Sequence, residues 1–364
     1  CLPQQEHGAP TLALLMSCFF WKSGYKYAEF GYRLQSLDVG VVLAQSVLVT
    51  GWEGWQPTVH YRFLDQVANQ LLGLDAAYES VYALITLCPR AASRQEAASS
   101  SPLLPLERLY LQAEPGTEQG MSLARWPLLE QLHRASLLTA PAALTETRHL
   151  PPIAVPSGQA SLPMPLPEPL ALRQALYQRH SAMLYFRRGE LTQQQVSTLL
   201  LESMRGYTND LDGQPVMVQH TLLYCVINAV AGISPGIYIY HPEKRALELV
   251  QTGDMRAALQ GTLTWFSHNM WNVSLCLFPV ADYEQGFVVY GDRWYRIQNM
   301  EAGLLIQRLY LAAAALALGC QANLGYQTQR AHELLRLPAR YRCLAQLMIA
   351  PEARAGQYYE QVLW

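Results

Sequence analysis

Three places in this 364-residue chain hold side chains able to do chemistry. Lys26-Tyr27 puts an amine next to a phenol. Such a pair can move a proton when burial or a nearby cation lowers the lysine's proton affinity. Arg179-His180-Ser181 lines up a guanidinium, an imidazole and a hydroxyl. Val289-Tyr290 repeats the phenol without the amine. Each place also has a plainer reading. Lys26 could be a solvated loop residue, and Arg179 to Ser181 an ordinary helix end with polar caps. Metal chemistry has no support, because no His-x-x-x-His or His-Glu-x-x-His spacing occurs. The seven cysteines include no Cys-x-x-Cys pair. That favours reduced thiols, and so a cytoplasmic setting, over a disulfide framework or a zinc site.

The elements that must position these residues occur twice. Shifting the first copy by 263 positions (290 − 27) lays Tyr27 on Tyr290, Tyr32 on Tyr295, Arg33 on Arg296, Gln35 on Gln298 and Gly40 on Gly303. The match continues through Leu71, Leu72, Leu74 and Tyr78, which meet Leu334, Leu335, Leu337 and Tyr341. From Gly24 to Cys88 there are 14 identities in 65 gapless positions. Chance would give roughly one in fifteen for this composition. A period this long means two copies of a domain and not a solenoid. From Tyr295 onward the second copy reads as a long helix, with broad apolar coverage and small residues at Ala312 to Ala315 where another helix could approach. Gly319 reads as its stop.

In chain order, Thr11 to Cys18 reads as a buried strand, and Val81 to Cys88 as a closing strand. Residues 1–88 are thus the back half of a domain: strand, loop, long helix, short helix, strand. The chain opens at Cys1 inside a repeat, so either a longer polypeptide or a second chain is expected to supply the front half. Residues 89–169 are Ala-, Ser- and Pro-rich and read as an extended connector, with an amphipathic helical piece around Trp126 to His133. Residues 170–364 form the second copy. They open with helices at Leu170–Tyr177 and at Leu191–Met204, the latter capped by Thr192. A hairpin follows over Gly236–Val250, then a helix from Met255. The net charge of −2 excludes an electrostatic nucleic-acid binder, and no uninterrupted run of about 20 apolar residues marks a membrane span.

Gly291 to Arg296, Glu301-Ala302-Gly303, Leu309 to Ala314 and Ser234 to Tyr240 resemble the nitroreductase-like flavoproteins, and within them the azoline oxidase branch that turns thiazolines and oxazolines into azoles. The resemblance covers about residues 9–88 and 170–355. It implies an α+β fold in which tandem copies form an internal pseudo-dimer around long central helices, and FMN as the cofactor. Arg179, His180 and Ser181 stand at the family's Arg-Arg-Ser-x-Arg signature, which holds the flavin phosphate; His180 and Met183 replace two of its basic residues. Leu223-Tyr224 matches a Leu-Tyr pair beside the ring, although Gln219 and Thr221 replace small residues there. Gln298, Leu324 and Gly325 complete the implied flavin contacts, with Gly325 presenting its N–H to the ring. The family's acid/base Lys-Tyr pair survives as Lys26-Tyr27, whereas the second copy keeps only Tyr290. One composite site is therefore expected, with flavin held by the second copy and proton transfer supplied by the first.

The expected function is FMN-dependent oxidation of azolines in a peptide prepared by a cyclodehydratase or other biosynthetic subunit. The alternatives are a degenerate scaffold or peptide-binding subunit, and a nicotinamide-dependent nitroreductase. The expected partners include the modified peptide and a homodimer or pseudo-dimer, with no nucleic acid and no membrane.

Overall fold

The computed structural model describes residues 12–90, 121–140, 161–183, 185–211, 220–265 and 268–353, together with 144, 150 and 153. In chain order the described elements begin with β1 (Leu12–Phe19), α1 (Phe20–Tyr27), α2 (Gly31–Trp52), β2 (Trp55–His60), α3 (Asp65–Leu71) and β3 (Glu79–Pro89). Next come α4 (Pro127–Ser136), β4 (Ser161–Pro163), α5 (Leu172–Gln178), α6 (Gln193–Ser203), β5 (Thr221–Ile227), β6 (Gly236–His241), β7 (Ala246–Thr252) and α7 (Arg256–Thr262). The last are β8 (Leu275–Asp282), α8 (Tyr283–Tyr290), α9 (Arg293–Ala315), β9 (Gly319–Asn323), α10 (Thr328–Leu335), β10 (Tyr341–Cys343) and β11 (Gln346–Ala350).

The duplication is visible element by element. Adding 263 to the bounds of β1 gives 275–282, which are those of β8, and adding it to those of α1 gives 283–290, which are those of α8. The same shift carries α2 to within one residue of α9, and α3 to within one of α10. Strand order repeats as well: β1-β3-β2 in one sheet, β8-β11-β9 in the other. Every pairing in both series is antiparallel.

The chain divides into two compact units. Unit 1 comprises residues 1–151, 206–218 and 284–304. Its three-stranded sheet buries Tyr82, Ala83, Ile85 and Leu87 of β3 against Tyr32, Val39 and Leu43 of α2 and against Trp294, Ile297 and Met300 of α9. Within this unit α2 and the first half of α9 touch backbone to backbone. A Cβ on Gly40 would lie 1.9 Å from the Met300 carbonyl oxygen, and one on Gly303 2.0 Å from that of Leu37. The contact is its own image under the shift, since 37 + 263 = 300 and 40 + 263 = 303. The missing Cβ at both positions is what lets the two helix backbones meet here. By length and composition the stretch Phe20–Trp52 could cross a membrane. In the fold it is two helices joined by a 3-10 turn at Ala28–Phe30, and α2 uses its glycine face as core.

Residues 121–140, expected as part of a connector, pack into unit 1. Leu123 N–H donates to the Ala77 carbonyl at 2.7 Å, Trp126 covers Gly24, and Leu129 is 1% exposed. The rest of the expected connector between Ala91 and Gly120 lies outside the described residues.

Unit 2 comprises residues 152–205, 219–283 and 305–364. Its sheet runs β4-β7-β6-β5-β8-β11-β9, with β10 also on β8. The central strand β5 is buried along its whole length, as a near-continuous apolar run requires when both faces are covered. Two elements differ from the sequence reading. The expected loop after the first strand is the helix α1, and Gly319 does not stop α9 but opens β9. The chain leaves α9 through Ala317 at φ +54°, with the Leu318 N–H on the Ala313 carbonyl at 2.9 Å. This closure uses an alanine where glycine is usual.

Candidate functional site

In unit 2 the end of α5 brings Arg179 and Ser181 to the α9 face carrying Tyr310. The Arg179 guanidinium lies 5.5 Å from the Tyr310 ring centroid, and Ser181 Oγ is 3.2 Å from the Tyr310 hydroxyl. The Ala322 N–H, on β9, donates to that hydroxyl at 2.7 Å. With one lone pair engaged, the phenol keeps its O–H free to donate, and either hydroxyl can be the donor in the Ser181–Tyr310 bond. Burial, then Cys320, pushes the Tyr310 proton affinity up to about 12, so it stays protonated at neutral pH. The Ala182 N–H on the Cys320 carbonyl at 2.9 Å and the Met183 N–H on Gln321 Oε1 at 3.1 Å tie this loop to β9. Arg179 is half-buried and Ser181 likewise, so one cation and two hydroxyls share a partly open corner.

The donor set fits the phosphate of FMN. A guanidinium and hydroxyls are what an anionic oxygen cluster needs, and Arg offers a fixed fork of N–H groups. His180 stands apart. Its Nε2 meets Glu352 Oε2 at 2.9 Å and Oε1 at 3.0 Å, and its Nδ1 faces the Gln178 carbonyl at 2.9 Å. The Gln178 carbonyl and Glu352 raise its proton affinity. The imidazole is held by a carboxylate here, at the edge of the corner formed by Arg179, Ser181 and Tyr310.

The other expected flavin contacts are placed as follows. The Gly325 N–H, expected to face the ring, donates to Asn323 Oδ1 at 2.9 Å, an Asx-type turn two residues long. Gly325 remains exposed and Leu324 is half-buried beside it. Tyr224, on β5, is 2% exposed within the apolar core of unit 2, where its ring meets core side chains and not solvent. Gln298 is fully buried in unit 1. Its repeat counterpart, Gln35, donates to the Phe19 carbonyl at 2.8 Å and braces the β1–α1 junction, so the shared glutamine has a structural reason. The expected small-residue substitution Gln219 lies outside the described residues, and Thr221 opens β5.

The expected proton-transfer residues lie in unit 1. Lys26 and Tyr27 close α1; both are exposed, and the Lys26 ammonium lies 5.0 Å from the Tyr27 ring centroid. Tyr290 differs. Its hydroxyl donates to the Leu211 carbonyl at 2.7 Å, and its ring stacks on Trp294 at 5.7 Å. In this arrangement the phenol bridges to the Leu211 backbone, whereas Lys26 and Tyr27 face solvent. The sequence reading missed Tyr310, Gln321 and Asn323. Asn323-Leu324-Gly325 carried a turn signal, because an Asn side chain commonly captures the N–H two residues on. Tyr310 sits in an apolar helix, and nothing in the sequence marked it.

This topology is the nitroreductase fold. The profile of the Nitroreductase family matches residues 215–350. Among curated proteins, MJ1384 of Methanocaldococcus jannaschii, which carries the nitroreductase name, is 28% identical over 116 residues. That match takes in 32% of this chain and 58% of the relative, so the chain spans little more than half the relative's length. Among solved structures, a nitroreductase-named protein from Anabaena variabilis is 22% identical with a TM-score of 0.74, covering 94% of this chain and 70% of that one. The Escherichia coli microcin synthetase McbBCD complex with truncated pro-MccB17 is a more distant likeness, 17% identical at a TM-score of 0.41, over 71% of this chain and 85% of that one. A likeness that slight bears on nothing further.

Proposed function

We propose that the protein is an FMN-dependent dehydrogenase that oxidises azoline rings to azoles in a modified peptide. The observation that carries the flavin part is the Arg179–Ser181–Tyr310 corner in a nitroreductase fold. Bound there, FMN supplies hydride acceptance. Arg179 holds the phosphate by charge-assisted bonds, and Ser181 and Tyr310 donate to its oxygens. Tyr310, fixed by the Ala322 N–H, keeps the Ser181 loop in register with β9. The azoline part rests on Lys26-Tyr27, which resembles the branch's acid/base pair. In this proposal Lys26, in its neutral amine form, takes the ring proton, and Tyr27, whose ring lies beside that nitrogen, orients it.

The test uses the full chain loaded with FMN and an azoline-containing peptide. Lys26→Ala should keep its flavin spectrum and lose azole formation by 10²-fold or so. Oxidation at the parental rate by flavin-loaded Lys26→Ala refutes the assignment.

A second reading is a scaffold or peptide-binding subunit. It is favoured by the Gly325 N–H and the Tyr290 hydroxyl, both already paired within the chain. Under it, the protein binds peptide but leaves added FMN unbound.

A further inference from the structure

The first two turns of α9 hold two fully buried cations. Arg293 and Arg296 stand three apart and so share a helix face; they are 2% and 0% exposed. Both reach Asp65, the first residue of α3, itself 1% exposed. Its carboxylate is fully used. Oδ1 accepts from Arg296 Nη2 at 2.9 Å, while Oδ2 accepts from Arg293 Nη1 at 2.6 Å and from the Leu138 N–H at 2.7 Å. Arg293 also donates to the carbonyls of Tyr61 and Ser136, at 2.6 and 2.9 Å. Among the described residues, Asp65 is the carboxylate paired with either guanidinium. One negative charge therefore faces two positive ones.

Among the described residues, the groups packed on the two guanidiniums add no negative charge. Phe63 lies 4.5 Å from the Arg293 guanidinium and 5.9 Å from that of Arg296, and Tyr82 lies 5.0 Å from the latter, measured to ring centroids. Tyr82 keeps its proton, chiefly because burial disfavours the phenolate. Tyr32 does so too, with its hydroxyl 2.9 Å from Ser136 Oγ. His133 is neutral, brought down to about 3 by burial and by Arg296. Meanwhile Arg293 Nη2, Arg296 Nε and Arg296 Nη1 are buried and find no acceptor among the described residues.

A buried charge without its counter-charge is among the costliest features a fold can carry. A buried lysine escapes by losing its proton, but arginine holds its own. The missing negative charge and the idle N–H groups call for the same remedy. We infer that the Arg293–Arg296 cluster binds one small monovalent inorganic anion, of the halide or nitrate kind, on the unpaired N–H groups of Arg296 and Arg293. The site is separate from the proposed flavin corner and independent of it. Its part is to complete the charge balance that docks the start of α9 onto α3.

The test is thermal unfolding of the full chain in sodium chloride, sodium bromide and sodium gluconate at equal ionic strength, with a bromide-grown crystal read by anomalous scattering. Chloride and bromide should raise the midpoint above gluconate by several degrees, growing with the logarithm of halide concentration. The bromide peak should sit about 3.5 Å or less from Arg296 Nε or Nη1. Arg296→Gln should abolish the halide dependence, whereas Lys22→Gln, an exposed cation, should retain it. Should Arg296→Gln fail to fold, the anomalous map of the parental protein decides. Equal midpoints in the three salts, or a map showing water or one of the chain's own carboxylates on those atoms, overturns the inference.

Discussion

Replacing Gly40 by alanine probes the helix contact on which unit 1 is built. The new Cβ would lie 1.9 Å from the Met300 carbonyl oxygen, 2.8 Å from the Met300 carbonyl carbon and 2.9 Å from Gly303 Cα. All three are backbone atoms of a long helix, so no side chain can swing aside. Relief requires α2 and α9 to part by more than an ångström, which loosens Leu43, Ile297 and Leu304 in the core beside them. Overpacking of this kind costs about 3 kcal/mol. Alanine returns about 1 kcal/mol of helix propensity. The net expectation is about 2 kcal/mol of destabilisation, or a midpoint lowered by roughly 4–8 °C for a unit of this size. Gly51 is the control, since it lies on the same helix with nothing within 4 Å of its Cβ position. Gly51→Ala should be neutral or slightly stabilising. Urea and thermal unfolding of the two variants beside the parent give the comparison. If Gly40→Ala proves as stable as Gly51→Ala, the backbone contact is not what the geometry says it is.

Other consequences follow from single contacts. Tyr290→Phe removes the bond to the Leu211 carbonyl and should cost about 1 kcal/mol in urea unfolding. In the peptide assay its turnover should match the parent, and a hundredfold loss there would restore an acid/base part to Tyr290. Asp65→Asn leaves two buried guanidiniums without their carboxylate and should destabilise by about 3–5 kcal/mol, enough to show as a collapsed unfolding midpoint. Asp65 also sets an acid limit: burial alone would raise its proton affinity, but Arg293 and Arg296 outweigh burial and lower it. Its stabilisation is thus complete above the unfolded carboxyl's titration, near pH 4, and is lost as pH falls through the lower folded value. Urea midpoints measured from pH 6 down to pH 2 should drop in the parent and stay flatter in Asp65→Asn. Thr192→Ala breaks the capping box with Gln195 and should cost about 1 kcal/mol, read from the unfolding of unit 2.

The duplication was legible because the residues that hold each copy together are large or geometrically demanding. Gly40 and Gly303 repeat since each lies on the other helix's backbone, and Gln35 repeats with Gln298 at a strand–helix junction. Strands such as Glu79–Pro89 announce themselves by β-branched and apolar runs. The α1 helix did not, because it is only eight residues long and its buried face is Phe20 and Gly24 alone. The buried ion cluster was invisible for a different reason. Asp65 aligns with Thr328 and Arg293 with Phe30, so neither repeats, and their meeting depends on a tertiary contact over more than two hundred residues. At the flavin corner the sequence pointed to Arg179 and Ser181 through a signature. It could not show that His180 turns to Glu352, because Glu352 is distant in sequence. Nor could it show that Tyr310 completes the corner from an otherwise apolar helix face.

The most direct test of the flavin assignment is the visible absorption spectrum of the full chain titrated with FMN, with the released chromophore identified by mass. The account predicts a flavin spectrum shifted on binding, about one FMN per chain, and weakening by tenfold or more in Arg179→Met, the loss expected for a charge-assisted phosphate bond of about 1.5–3 kcal/mol. A chain that stays colourless with added FMN, or an Arg179→Met protein that binds it as tightly as the parent, contradicts the account.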